Sequence, residues 1–172
     1  MSRRLFFGLK PDEKVRNALD RAARSQPDFK GRPPHPEDLH MTLLFLGQVE
    51  GRLDPVLEVA SRVQIPPFSM TLDRFGFWPR SGILFLRPSV TPEPLFQLVR
   101  SLERGLEACG FISDQQEYKP HVTLSRKSQP VAAEGPGKPV EWNLDRFCLY
   151  VSQPAQDPPY YRIINHWPLA LP

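Results

Sequence analysis

Most signatures of familiar chemistry are missing from this chain of 172 residues. It has only two cysteines, Cys109 and Cys148, far apart and in apolar company. With no CxxC pair and no zinc-type spacing to histidine, they read as buried free thiols rather than a disulfide or a metal site. Neither a P-loop glycine motif nor a nucleophilic serine elbow is present, so no such phosphate or acyl chemistry is written in the chain. Long apolar runs are absent as well. Leu5-Phe6-Phe7 is broken by Gly8 and is too short for a signal-peptide core or a membrane span, so the expected location is the cytoplasm, away from membranes. Charge of one sign does not dominate either: the net charge is +3, with a pI near 9.0. Arg3, Arg4, Arg32, Arg74, Arg80, Arg87 and Arg126 stand near candidate loop and strand ends. That suits a phosphate-bearing partner, and a solvated surface equally well.

What is present is a globular composition, 40% hydrophobic against 24% charged, sufficient for a core. The length predicts a single domain over 1–172, built as two tightly packed halves. The 21 prolines exceed the roughly 5% average usage and form no tract or repeat, which predicts long ordered loops.

In chain order, Arg4–Leu9 reads as a strand. A helix begins at Pro11 and runs to about Ser25, with Val15, Ala18, Leu19 and Ala22 as its apolar stripe. Asp38–Gly47 reads as a strand and Leu53–Val63 as a second helix. Phe68–Asp73 and Ile83–Arg87 read as hairpinned strands around an aromatic-rich turn, Phe75–Gly82. A third helix carries Leu95, Leu98, Val99, Leu102 and Leu106 and ends near Gly110. Three more strands are expected, His121–Arg126, Trp142–Val151 and Tyr160–Pro168. Strand, helix, loop and a histidine strand occur twice in the same order, with similar spacing from Leu5 to His40 and from Leu84 to His121. The fold class is therefore α+β: two related lobes, each an antiparallel sheet with helices outside, around a central cleft.

The repeated unit is His-x-Thr-Leu, at His40–Leu43 and His121–Leu124. On a strand, residues two apart share a face, so each histidine stands beside its threonine. One such histidine would read as a hydrogen-bonded core residue, but two matched copies weaken that reading. Metal ligation is a second reading, and the remaining histidines, His35 and His166, have no carboxylate or cysteine at ligand spacing. The third is acid–base chemistry on a phosphoester. One imidazole takes a proton from the attacking oxygen, the other gives one to the leaving oxygen, and Thr42 and Thr123 steady the phosphate oxygens. No metal or other cofactor is then needed.

These residues resemble the two-histidine (2H) phosphoesterase superfamily, and within it the bacterial RNA 2′,3′-cyclic phosphodiesterases, also called 2′-5′ RNA ligases. The likeness covers Arg4–Leu9, Glu37–Gly47, Lys119–Arg126 and the ending from Tyr160-Tyr161 through Trp167-Pro168-Leu169. The resemblance implies a bilobal fold and opening of a terminal RNA 2′,3′-cyclic phosphate to a 2′-phosphate, with reverse 2′-5′ ligation. It implies His40 as proton donor and His121 as proton acceptor. It also implies Arg126 as a phosphate contact and Phe45 as a base contact, each five residues after its histidine. Strand alternation places that odd offset on the opposite face, which assigns Phe45, with Met41 and Leu43, to packing. Arg32-Pro33-Pro34-His35 stands where the family commonly has an aromatic before its first motif, which leaves Phe77, Trp78 and Tyr118 as unassigned base platforms. The expected partner is an RNA 3′ end, met by a monomer. A nucleotide- or RNA-end-binding module with weak catalysis is the alternative, as is a phosphodiesterase for small cyclic nucleotides or 2′,5′-linked substrates.

Overall fold

A computed structural model describes residues 2–113 and 117–171. Its elements are β1 (Ser2–Leu9), α1 (Glu13–Arg24), a 3-10 turn (Pro36–Asp38), β2 (Met41–Glu50), α2 (Asp54–Ser61), β3 (Phe68–Leu72), β4 (Arg74–Trp78), β5 (Ile83–Arg87), α3 (Glu93–Glu107), β6 (Val122–Ser125), β7 (Val140–Leu144), β8 (Arg146–Ser152) and β9 (Tyr161–Pro168). The fold is α+β, with few helices and a large antiparallel sheet. Seven strands lie in the order β4-β5-β6-β2-β1-β8-β9, and β3 pairs with β7 in a sheet of two. Two sheets of lobe size were expected. Instead, one sheet spans both halves, joined where β2 meets β6 through the single pair Met41↔Val122.

The helices form as their apolar spacing dictates. In α1, Val15, Leu19 and Ala22 are buried, and the Asp12 carboxylate caps the first turn by accepting from the Val15 amide at 2.9 Å. In α3 the buried face is Leu95, Leu98, Val99, Leu102 and Leu106. These stripes pack with one face of the large sheet (Leu5, Phe7, Leu9, Met41, Val122, Leu149) and with Met70 and Trp142 of the small one, in one continuous core. That leaves the other face of the large sheet open for function.

Three expectations are corrected. Phe75–Trp78 is strand rather than turn, and β5 hairpins with it, whereas β3 goes to the other sheet. Gly76 suggested a turn, but it lacks a side chain for a different reason. A Cβ there would lie 2.2 Å from the Phe85 ring. The expected strand Trp142–Val151 is two strands, divided at Asp145, whose carbonyl accepts from the Leu169 amide at 2.7 Å; β7 and β8 then enter different sheets. Cys109, past the end of α3, is exposed, whereas Cys148 is buried and its thiol pKa is pushed up to about 11 by that burial.

Candidate active site

His40 and His121 each sit one residue before a strand, ahead of Met41 on β2 and Val122 on β6. The sequence suggested a strand from Asp38, but the chain there turns through a 3-10 segment because Asp38 is engaged elsewhere. Its buried carboxylate accepts from the Tyr160 and Tyr161 amides at 2.9 and 3.0 Å, tying the start of β9 to the first motif. Its carbonyl accepts from His40 Nδ1 at 2.7 Å. The second motif repeats the arrangement, with the Lys119 carbonyl accepting from His121 Nδ1 at 2.8 Å. A carbonyl can only accept, so Nδ1 carries the proton in both rings. Each neutral imidazole therefore keeps Nε2 as its basic atom.

Both histidines and both threonines line one cleft of about 430 Å³, with Arg4, Phe6, Phe45, Trp78, Arg126 and Tyr161 among its other walls. His40 Nε2 lies 3.0 Å from the Thr42 hydroxyl, which donates to it while the ring is neutral and accepts from it once protonated. Aromatic rings enclose each imidazole. Tyr161 stands edge-on to His40 at 4.9 Å with Phe6 at 5.0 Å, and Trp78 stands edge-on to His121 at 4.7 Å with Phe85 at 5.5 Å. This burial lowers both histidine pKa values from the usual 6.5, against the opposing pull of the carbonyl bonds. For His40, the nearby His121 and Arg126 lower it further. Among the described residues, the cleft walls carry two arginines and no carboxylate. The surroundings therefore favour an anion.

Strand alternation misplaced Phe45. It is 60% exposed and faces the cleft, only 5.9 Å from the Phe6 ring. The reason is a bulge: Gly8 pairs with Thr42 and Phe7 with Leu44, so Leu43 is the extra residue and the phase flips after it. The second motif repeats this too. Phe85 pairs with Thr123 and Leu84 with Ser125, leaving Leu124 as the extra residue, and Arg126 reaches the cleft side. Arg126 is held past the end of β6 by paired backbone bonds with Arg32, at 2.8 and 2.9 Å. Met41 and Leu43 are core residues, as expected.

Of the aromatic candidates, Trp78 lines the cleft. Phe77 alternates to the other face of β4. Tyr118 is structural: its hydroxyl donates to the Thr42 carbonyl at 2.8 Å, tying the approach to the second motif onto the first. Burial raises its pKa. Arg4, Phe6 and Tyr161 also line the cleft, and sequence patterning alone did not single them out. Alternation on β1 puts Arg4 and Phe6 on one face, but only the strand order brings β1 beside β2 and β9 within reach.

Among the described residues, no group of three or more His, Cys, Asp or Glu could hold a metal ion. No described helix is long and apolar enough to cross a membrane.

Comparison with known proteins gives a consistent result. The family model of the 2′-5′ RNA ligase superfamily matches residues 11–155. The RNA 2′,3′-cyclic phosphodiesterase of Escherichia coli is 32% identical over 170 residues, 96% of each chain. The protein of the same name from Thermus thermophilus is 30% identical over 180 residues, covering 96% of this chain and 90% of that one. Among solved structures, E. coli LigT in apo form superposes with a TM-score of 0.87 at 30% identity, covering 98% of both chains. LigT complexed with 3′-AMP gives 0.86 at 31% identity, covering 98% of this chain and 99% of that one. The chain belongs to the 2′-5′ RNA ligase superfamily, among the two-histidine phosphoesterases.

Proposed function

We infer that this protein hydrolyses the terminal 2′,3′-cyclic phosphate of RNA to a 2′-phosphomonoester. One observation carries the reading: two imidazoles, each with Nδ1 held by the carbonyl two residues back, border one cleft with two threonines and an arginine. The names of the relatives, RNA 2′,3′-cyclic phosphodiesterases, support this substrate class.

The chemistry follows from the protonation states. In the reaction, a water oxygen bonds to phosphorus as the bond to the ribose 3′-oxygen breaks. His121 Nε2 takes the proton of the water, and His40, charged at Nε2, gives its proton to the 3′-oxygen. The phosphodiester anion, once bound, favours the charged form of His40 that burial disfavours in the free protein. Thr42, Thr123 and Arg126 donate to the non-bridging oxygens, where charge accumulates. Phe45, beside Phe6, offers a face to the terminal base. The bonds exchanged leave no step that calls for a cofactor.

The architecture supports a single domain of two pseudo-symmetric lobes. About the Met41↔Val122 seam the order β4-β5-β6 faces β2-β1-β8, and β5–α3–β6 repeats β1–α1–β2. Each lobe brings one His-x-Thr unit to the cleft. All the site groups come from one chain, which supports action as a monomer, and free thiols with an RNA substrate suit the cytoplasm. The test is turnover of an oligoribonucleotide ending in a 2′,3′-cyclic phosphate, with and without a strong chelator. A 2′-phosphate product at an undiminished rate is expected in both. A 3′-phosphate product, or loss of activity restored by added zinc, would overturn the mechanism.

A further inference from the structure

The cleft holds two arginines, and the reaction described above uses one of them. Arg126 stands near enough to His40 to help lower its pKa, which suits a place beside the reacting phosphate. Arg4 lies elsewhere on the same face. Residues two apart on a strand share a face, so Gly8, Phe6 and Arg4 form a row along β1. Gly8 pairs with Thr42, Phe6 with Phe45 and Arg4 with Gln48. The row therefore starts at the histidine–threonine centre, passes the aromatic rings and ends on a cation. Four residues of strand separate its ends by roughly 13 Å. On its other side Arg4 pairs with Ser152 of β8, and both residues line the cleft. Arg4 is exposed, and among the described residues it belongs to no ion pair. No carboxylate among the described residues of the cleft wall meets its charge.

A 2′,3′-cyclic phosphate is a diester with one negative charge, and Arg126 with the two threonines suffices for it. A free nucleoside 2′,3′-cyclic phosphate offers no second charge. In an RNA strand the next one is the phosphodiester on the 5′-oxygen of the terminal nucleoside, one nucleoside away. Phosphate, nucleoside, phosphate is the order that the row along β1 matches with reacting centre, aromatic rings and guanidinium. Its length is that of one nucleoside plus the reach of an arginine side chain. A guanidinium beside a hydroxyl suits the oxygens of a phosphodiester, as Arg126 beside Thr123 does at the reacting centre. We propose that Arg4, with Ser152, forms a second phosphate subsite that takes the 5′-phosphodiester of the terminal nucleoside. This subsite selects the ends of RNA strands over free nucleoside cyclic phosphates. The upstream strand then leaves the cleft past Ser152 and Pro154.

This proposal rests on the reading of the cleft as a cyclic-phosphate site. The test gives the full-length protein adenosine 2′,3′-cyclic phosphate with a free 5′-hydroxyl, the same compound carrying a 5′-phosphate, and a diadenylate ending in the cyclic phosphate. In the wild type, KM should be roughly tenfold lower for the second and third compounds than for the first. In Arg4→Ala, at an exposed position, the three KM values should come within about twofold of one another. In Arg126→Ala they should all rise and keep their ratio. Equal KM values in the wild type would overturn the subsite, as would a ratio retained in Arg4→Ala. A gain from the dinucleotide without one from the 5′-phosphate would overturn it too, because the second nucleoside would then be what is read. A wild type that opens none of the three overturns the cyclic-phosphate reading instead, so the two failures are distinguishable.

Discussion

At the scale of single residues, the two imidazoles do not behave as ordinary surface histidines. Replacing either by alanine should lower kcat by about 10²–10⁴, the usual share of one general acid or base, with little change in Tm because both rings border a cleft. Full turnover by His121→Ala would refute the paired mechanism. The lowered pKa values have two measurable consequences. The profile of kcat/KM reports the free protein and requires one protonated and one neutral imidazole, so it should peak on the acid side of pH 6.5. Stability should also depend on pH. The unfolded chain binds protons first as pH falls, so the contribution of these rings is complete above about 6.5 and is lost as pH drops through their lowered folded values. Tm measured from pH 7.5 down to pH 5 should fall, and more weakly in His40→Ala.

At the scale of elements, the site depends on irregularities in otherwise regular strands. Tyr118→Phe removes the tie from the second approach segment to the Thr42 carbonyl and should cost about 0.5–1.5 kcal/mol in urea unfolding. Activity should fall further than that cost implies, since the bond sets one motif against the other. Gly76→Ala, pressing on the Phe85 ring that backs His121, should lower kcat while leaving KM near its original value. These elements also mark what was legible in advance. The histidines and threonines were, because a period of two over three residues survives a bulge that starts after them. Phe45 was not, because the extra residue at Leu43 reverses the phase and nothing local to the sequence announces a bulge. The division at Asp145 was hidden for a related reason: apolar patterning continues through it, and only the choice of sheet by β7 and β8 reveals the break.

At the scale of the molecule, one core serves both halves. The sheet narrows to the Met41↔Val122 pair at its middle, and both residues are fully buried. Equilibrium unfolding is expected to give a single transition that coincides by fluorescence and circular dichroism. Two resolved transitions would instead show lobes that fold independently. Met41→Ala, at the seam, should lower stability by about 2–5 kcal/mol, the cost of a large-to-small change in a packed interior.

The carbonyl that holds each Nδ1 has an evolutionary consequence. Many catalytic histidines are oriented by a neighbouring carboxylate, and a single base change in the gene can delete that partner. Here the partner is main chain, at Asp38 and at Lys119, and no substitution at either codon can take the acceptor away. The tautomer is thus robust to point mutation, and insertions or deletions between partner and ring are what would disrupt it. The same device limits adaptation, since a neutral carbonyl cannot be exchanged for a charged group that would make the imidazole more basic. Selection on the working pH must therefore act through the aromatic walls and the arginines.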